Sequence, residues 1–527
     1  MKTFYLLVFL TISAGSFAQQ ARMVIDLSPG AASTFGNDDN FEDKLQVAFD
    51  DKVLFLKRNS STDKELWVSN GTAAGTTKLF GVTGSYWEYE NSRPDKLYFV
   101  FKDENKFYFS SLDKNTLDTA IIMASNSYIS DLTWFKDAYY FRHNGDLWKY
   151  DIAQNKTELV YDFIFFVGLK SIGVLDSQLI MIGGADNGTN LFKSDGTTAG
   201  TSEFHLLNDG SEFSGEEYFT QAGDLLFFFY YTPNDEKYRL YSTDGTSAGT
   251  HALVSLKRPS FSNLYDKRQI ISWNNKLFFS AIPEGNPSNT QELYVSDGTI
   301  NGTKILYTHE DHSYQSRPQF FTPYNGSLYF AGDWYSSWNL KIYKTDGTQQ
   351  GTSLAIETTM QAGGYHSIDV FNDSLCFDAY KSNYGDELCF SNGTENGSRV
   401  IDVIPGSNSV NPKSFLKTDK YLFFTAKTAN AGRELWVYDP DSVIVSNDVI
   451  NQFSLDIFPN PCIDKIDFTG AEQFSSNDKV FFYSIDGQLA LEAPFQKEIR
   501  VKDLKPGIYN VVIYTKKGTY SNLIQKE

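Results

Sequence analysis

An all-β fold is predicted, a large β-propeller of about eight or nine blades followed by a small C-terminal β-sandwich. Three observations carry it. One phrase recurs: a hydrophobic pair, Ser/Thr, Asp/Asn, then Gly-Thr-x-x-Gly-Thr, each copy marking one stacked supersecondary unit. Between copies, short runs alternate apolar and polar residues at the period of a strand, with no sustained helical period. Finally, VIDLSPG (Val24 to Gly30) is nearly repeated as VIDVIPG (Val400 to Gly406), which brings the two ends of the repeat array into one pattern.

The chain opens on MKTFYLLVFLTISAGSFA. Lys2, the apolar stretch from Phe4 to Ile12 and the small-x-small end Ser16-Phe17-Ala18 read as a signal peptide over residues 1–18, cut after Ala18. No later apolar run is long enough for a membrane-spanning helix, so no transmembrane segment is expected.

Residues 19–440 hold the repeats. The copies are ELWVSNGTAAGT (Glu65 to Thr76), LFKSDGTTAGT from Leu191, LYSTDGTSAGT from Leu240, ELYVSDGTINGT from Glu292, IYKTDGTQQGT from Ile342 and ELCFSNGTENGS (Glu387 to Ser398). Their Asx-Gly pairs are Asn70-Gly71, Asp195-Gly196, Asp244-Gly245, Asp297-Gly298, Asp346-Gly347 and Asn392-Gly393. From Gly196 onward the spacing is 49, 53, 49 and 46 residues, a four-stranded blade each. The wider gap from Gly71 to Gly196 has room for two units without Gly-Thr, at Lys106 (KFYFSSLDKNTLDTAII) and Asp146 (DLWKYDIAQNKTELVYDF). A last copy, GRELWVYDP from Gly432, brings the count to nine, or to seven or eight if a degenerate unit merges with its neighbour.

Each Asx-Gly pair reads as a two-residue hairpin turn needing positive φ, and the second Gly as a further tight bend. The recurring Asp residues are therefore turn formers rather than calcium ligands or catalytic acids. The final unit lacks an outermost strand, and Val24–Pro29 can supply it beside Arg433–Val437, closing the ring. The phrase resembles the ELWxxDGT repeats of secreted bacterial proteins, which imply no particular activity. The Asp-boxes of sialidase propellers are spaced differently.

After a polar linker (441–452), residues 453–527 again alternate. The marks are Ile457-Phe458-Pro459-Asn460-Pro461, Tyr483-Ser484-Ile485-Asp486-Gly487 and Leu504-Lys505-Pro506-Gly507-Ile508-Tyr509. Together with the terminal Lys526-Glu527 they resemble the type A C-terminal sorting domain of the type IX secretion system of Bacteroidota. That resemblance implies a route through the periplasm, translocon and sortase as partners, and a product that is secreted or attached to the outer-membrane surface.

The net charge of −19 excludes a nucleic-acid partner, which requires a basic face. Three cysteines are too few for a disulfide scaffold; Cys376 and Cys389 are either small buried hydrophobes or a cross-strand pair. No catalytic, cofactor-binding or metal-ligating residue is assigned. The nearest features are HEDH (309–312) for zinc, NDDNFED (37–43) for calcium, and the aromatics of YWEYE (86–90) and DWYSSW (333–338) as sugar platforms. The function expected is an exported surface or secreted protein that binds a glycan or protein. Two alternatives stand beside it: a polysaccharide hydrolase or lyase, and a structural or gliding-associated surface protein.

Overall fold

The computed structural model describes residues 21–28, 33–35, 45–60, 63–83, 87–90, 93–163, 168–186, 188–208, 219–232, 237–257, 269–286, 290–307, 317–332, 339–361, 368–381, 383–404, 409–428, 430–441, 456–469, 474, 478–484, 489–515 and 518–527. The predicted signal peptide, the predicted linker from 442 onward, HEDH, NDDNFED and DWYSSW lie outside the described residues. The chain forms two compact units, Gln20–Pro440 and Asp441–Glu527.

In the first unit, nine four-stranded antiparallel blades follow one another among the described residues. Seven are separate sheets; the seventh and eighth are joined by a single bridge, Thr359–Tyr380. The first blade runs Leu45–Phe49, Lys52–Arg58, Asp63–Ser69, Thr76–Thr83 in simple succession. From the second blade to the ninth, the first strands lie beside one another, and Leu45–Phe49 of the first blade lies beside Lys413–Lys417 of the ninth. First strands are thus innermost.

The alternation of residues along each strand explains the stacking. In the second blade, Leu97, Phe99 and Phe101 pack with Leu54 and Leu66 of the first blade, whereas Tyr98 and Val100 pack with Tyr139 and Phe141 of the third. Both faces are buried, so the second strand of a blade is a nearly continuous apolar run such as KLYFVF. The same kind of cluster fills every junction between neighbours, including the one from ninth back to first, where Phe423, Leu435 and Val437 meet Val53 and Phe55. The ring is closed by packing, at about 1.5–3 kcal/mol for each large side chain fully buried.

The ninth blade is composite. Its strands Lys413–Lys417, Leu422–Thr428 and Gly432–Tyr438 are completed by Ala21–Ile25, with Ala21 opposite Tyr438, Arg22 opposite Val437, Met23 opposite Trp436 and Ile25 opposite Leu435.

The disulfide reading fails for a geometric reason. Cys376 stands opposite Phe390 and Cys389 opposite Phe377, so the two thiols project from opposite faces of the eighth blade. Cys376 packs towards the ninth blade and Cys389 towards the seventh, and both are free and buried.

The second unit is a two-sheet sandwich. Asp456–Phe458, Lys465–Thr469 and Glu498–Arg500 form one sheet; Leu489–Pro494, Lys479–Ser484, Gly507–Thr515 and Gly518–Lys526 form the other. Ile466, Phe468 and Ile499 from the first meet Val480, Phe482, Val511 and Ile524 from the second.

Because each of the first eight blades is a meander, the hairpin joining its first two strands and the loop joining its last two, which is the Gly-Thr loop in six of them, share one end of the ring. The second hairpin and the connections between blades share the other. These are the repeat-loop end and the connection end.

Candidate functional site

At the repeat-loop end, the Gly-Thr phrase is a hydroxyl network. In the first blade, Ser69 Oγ accepts the Gly71 N–H (3.1 Å) and lies 2.8 Å from Thr76 Oγ1, which donates to the Thr72 carbonyl (2.7 Å). Asn70 Oδ1 accepts both the amide (3.1 Å) and the hydroxyl (2.8 Å) of Thr72, whose Oγ1 accepts the Gly75 N–H (3.0 Å). The fourth blade repeats this around Asp195, Thr197, Gly200 and Thr201. So do the loops of Asp244, Asp297, Asp346 and Asn392. The Thr hydroxyl bond, foremost, draws the carboxyls of Asp195, Asp244, Asp297 and Asp346 below their ordinary value.

The turn differs from the two-residue hairpin expected. Asn70 to Gly75 separate the strand ending at Ser69 from the one starting at Thr76. Positive φ falls on the first glycine alone, from 83° at Gly245 to 95° at Gly196, and none of the six Asx residues adopts it. The second glycine is needed for space. A Cβ on Gly75, Gly200, Gly249, Gly302, Gly351 or Gly397 would stand 1.9 to 2.1 Å from the Asx Oδ1 lying across it.

The first glycine also faces the preceding blade. Gly196 lies against Tyr140, which donates its hydroxyl to the Gly196 carbonyl (3.1 Å); Gly298 lies against Leu225, and Ser242 donates to its carbonyl (3.0 Å). Gly245 meets Ile180, Gly347 meets Phe278, Gly393 meets Tyr329, and Gly71 of the first blade meets Phe423 and Val437 of the ninth. These residues are joints between blades.

Where the phrase carries a glutamate, its surroundings vary between copies. Glu65 takes Lys78 Nζ at 2.6 Å, Trp67 Nε1 at 3.1 Å and Lys57 at 3.6 Å; burial opposes ionisation there, but these partners outweigh it and bring the carboxyl down to about 2. Glu292 accepts the Thr290 hydroxyl (3.1 Å). Glu387 and Glu434 are fully buried. Glu387 Oε2 accepts the Val403 N–H (3.0 Å), and Glu434 accepts Leu27 N–H (3.3 Å) and Thr34 N–H (2.9 Å). Val403 and Leu27 are the fourth residues of VIDV and VIDL, so the sequence likeness reflects one shared backbone contact. Burial, above all, lifts Glu387 to about 9 and Glu434 to about 7.

The connection end carries aromatic side chains. Tyr128 (39% exposed) follows the outermost strand of the second blade, and Tyr380 (39%) and Tyr384 (41%) flank the second hairpin of the eighth. Around Tyr128 stand Phe107, with ring centres 5.0 Å apart, and Arg142, 5.3 Å over the ring. Arg142 is held by Asp131 Oδ2 (3.2 Å) and Ser130 Oγ (2.9 Å). Beside it His143 Nε2 is 2.7 Å from Ser125 Oγ, itself an acceptor for the Ser127 N–H (2.9 Å); burial lowers the imidazole below its ordinary value. Of YWEYE, Tyr89 lies on the innermost strand Trp87–Glu90 and is 42% exposed. Nothing in the sequence separated Tyr128 from the many other tyrosines. No group of three His, Cys, Asp or Glu among the described residues is arranged to hold a metal.

In the tail, the opening motif and the chain end meet. Asn460 Oδ1 accepts the Gln525 N–H (2.7 Å), Cys462 donates to the Gln525 carbonyl (2.7 Å), and Glu527 donates to the Cys462 carbonyl (2.9 Å). Pro459, Asn460 and Pro461 are exposed, with Phe458 (46%) and Ile463 (61%) on either side. Tyr509 donates its hydroxyl to the Lys505 carbonyl (2.9 Å) across Pro506-Gly507, while Asp486 and Gly487 lie outside the described residues. Residues 456–527 match the secretion system C-terminal sorting domain. The tail is a type IX sorting domain. The sorting domain accounts for a minor part of the chain, and no curated protein matches the chain.

Three of the solved structures similar to the chain illustrate the likeness. The β-propeller domain of the Trilobed protease from Pyrococcus furiosus shares 12% identity over 60% of this chain and 96% of its own, with a TM-score of 0.34. Acylaminoacyl peptidase from Pyrococcus horikoshii shares 12% over 90% of this chain, which spans 58% of the peptidase (TM-score 0.36). PorZ, a surface component of the type-IX secretion system of Porphyromonas gingivalis, shares 12% over 91% of this chain and 74% of its own (TM-score 0.24). At such distance they carry no argument, and the propeller assignment rests on the nine blades themselves.

Proposed function

We propose that the chain is exported by the type IX system, its sorting domain read by the translocon and removed by the sortase, to act as a surface or secreted binding protein. The propeller engages a glycan or protein ligand through its connection end. One observation carries this reading: three of the four exposed tyrosines among the described propeller residues, Tyr128, Tyr380 and Tyr384, stand at the connection end, and the fourth, Tyr89, on an innermost strand. The exposed aliphatic side chains lie elsewhere, with Ile121, Leu159, Leu206, Ile305 and Leu354 on outermost strands and Ile300 in a repeat loop. Tyrosine offers a rigid face for a sugar ring and a hydroxyl for hydrogen bonding, which suits recognition.

The test is a glycan array and a surface-protein pull-down with residues 19–440, each with Tyr128→Ala and Tyr384→Ala for comparison. Binding weakened at least tenfold by one of them supports the proposal; empty results from both assays remove it. Export is tested separately. A chain truncated after Tyr438 accumulates in the periplasm, and its normal delivery to the surface would overturn the route.

A further inference from the structure

We propose that the joint between the two ends of the propeller is a proton-sensitive clasp, in which the Glu434 carboxyl keeps the N-terminal segment seated while neutral and loosens it on ionisation. Among the described residues, the segment from Ala21 to Phe35 is held by its strand pairing, by apolar packing of Ala21, Val24 and Phe35, and by a seam of hydrogen bonds. Glu434, with no exposed surface, takes the Leu27 and Thr34 amides on its two oxygens. The Arg433 amide donates to Ser33 Oγ (2.9 Å), and Phe35 donates to the Arg433 carbonyl (3.3 Å). On the first blade, Arg58 donates its amide to the Thr34 carbonyl (2.9 Å). Glu434 is the side chain at the centre of this seam.

The charge that bears on it opposes its ionised form. Asp26, on the segment itself, adds negative charge. Arg433 precedes Glu434 and turns to the other face of the strand, where its guanidinium donates to the Asn411 and Thr425 carbonyls (2.9 and 3.3 Å). Lys427 stands opposite Arg433 rather than Glu434, whose opposite residue is Ala426. Arg58 meets the segment through its backbone amide. Burial outweighs the two amide bonds and raises the carboxyl to about 7. Once the segment lifts, Glu434 returns to the ordinary value of 4.5. The seated state therefore binds the proton more tightly, and seating weakens as pH rises from the ordinary value through about 7.

Glu387 makes the same contact with Val403, but there the segment follows directly from the blade it touches. The N-terminal copy is distant in sequence from the blade it completes, so it can part from it.

Amide hydrogen exchange on the full chain at pH 6 and pH 8, corrected for intrinsic rates, tests the clasp. Protection over Met23–Leu27 should fall roughly tenfold between the two, the ratio set by a shift from 4.5 to about 7. Protection over Thr76–Thr83, the outermost strand of the first blade, whose own glutamate stays ionised, should hold steady. Glu434→Gln should abolish the difference. Equal protection of Met23–Leu27 at both pH values, a parallel loss over Thr76–Thr83, or an undiminished pH effect in Glu434→Gln would each overturn the proposal.

Discussion

At the scale of single residues, the repeat is a set of small side chains chosen for reach and for absence. Gly302 exists to leave room for Asp297, whose Oδ1 would stand 1.9 Å from an added Cβ. Gly302→Ala should destabilise the chain by about 1–3 kcal/mol, the usual cost of overpacking. The double variant Asp297→Ala/Gly302→Ala should recover part of that, because the clash and its partner vanish together; thermal unfolding of all four combinations gives the coupling. Ionisation provides a second residue-scale expectation. Glu387 and Glu434 are neutral in the folded chain up to about 9 and about 7. Their contribution is complete below the ordinary glutamate value and lost as pH climbs through those values. The repeat aspartates shift the other way, so their contribution is lost only as pH falls below the ordinary aspartate value. The melting temperature should accordingly decline from pH 5 to pH 9, and Glu387→Gln should flatten the upper part of that decline.

At the scale of elements, much of the architecture was legible because the repeat phrase names one position in every blade. Even the two degenerate units at Lys106 and Asp146 are third strands in their own blades, Lys106–Asp113 and Asp146–Asp151. The loop chemistry was less legible. Asx-Gly signals a tight hairpin locally, but here a six-residue hydroxyl network competes with that turn and wins. Which face a cysteine takes follows from register, which composition does not contain, so the Cys376–Cys389 alternative stayed open until the pairing was seen. All three thiols should therefore react under denaturing conditions without reductant; two missing thiols on titration would contradict the register. The alternate packing of one strand into two junctions makes its own prediction. Phe99→Ala, a ring with no exposure between the first and second blades, should cost about 3–5 kcal/mol in chemical denaturation. At the connection end, His143 and Tyr128 come together through a blade-to-blade crossing that no local pattern encodes.

At the scale of the whole molecule, closure by the N-terminal segment was legible from the matching VIDLSPG and VIDVIPG segments, but the strand that pairs is Ala21–Ile25 rather than Val24–Pro29, and the buried carboxyls that the two segments engage, Glu434 and Glu387, were not foreseen. Glu434 and Leu27 are about four hundred residues apart, and only the ring brings them together. Removing residues 21–35 should leave the ninth blade with three strands and its outer edge bare, lowering the melting temperature and raising aggregation, read by calorimetry and light scattering.

The resting of each loop glycine on the blade before it has a further consequence. Every such contact points the same way round, like overlapping roof tiles, and Gly71 on Phe423 lays the first tile over the last. An extra unit copied from the array would carry both the ledge and the lip its neighbours need. Growth and shrinkage by whole units are thus built into the masonry, and curvature rather than fit decides how many the circle admits.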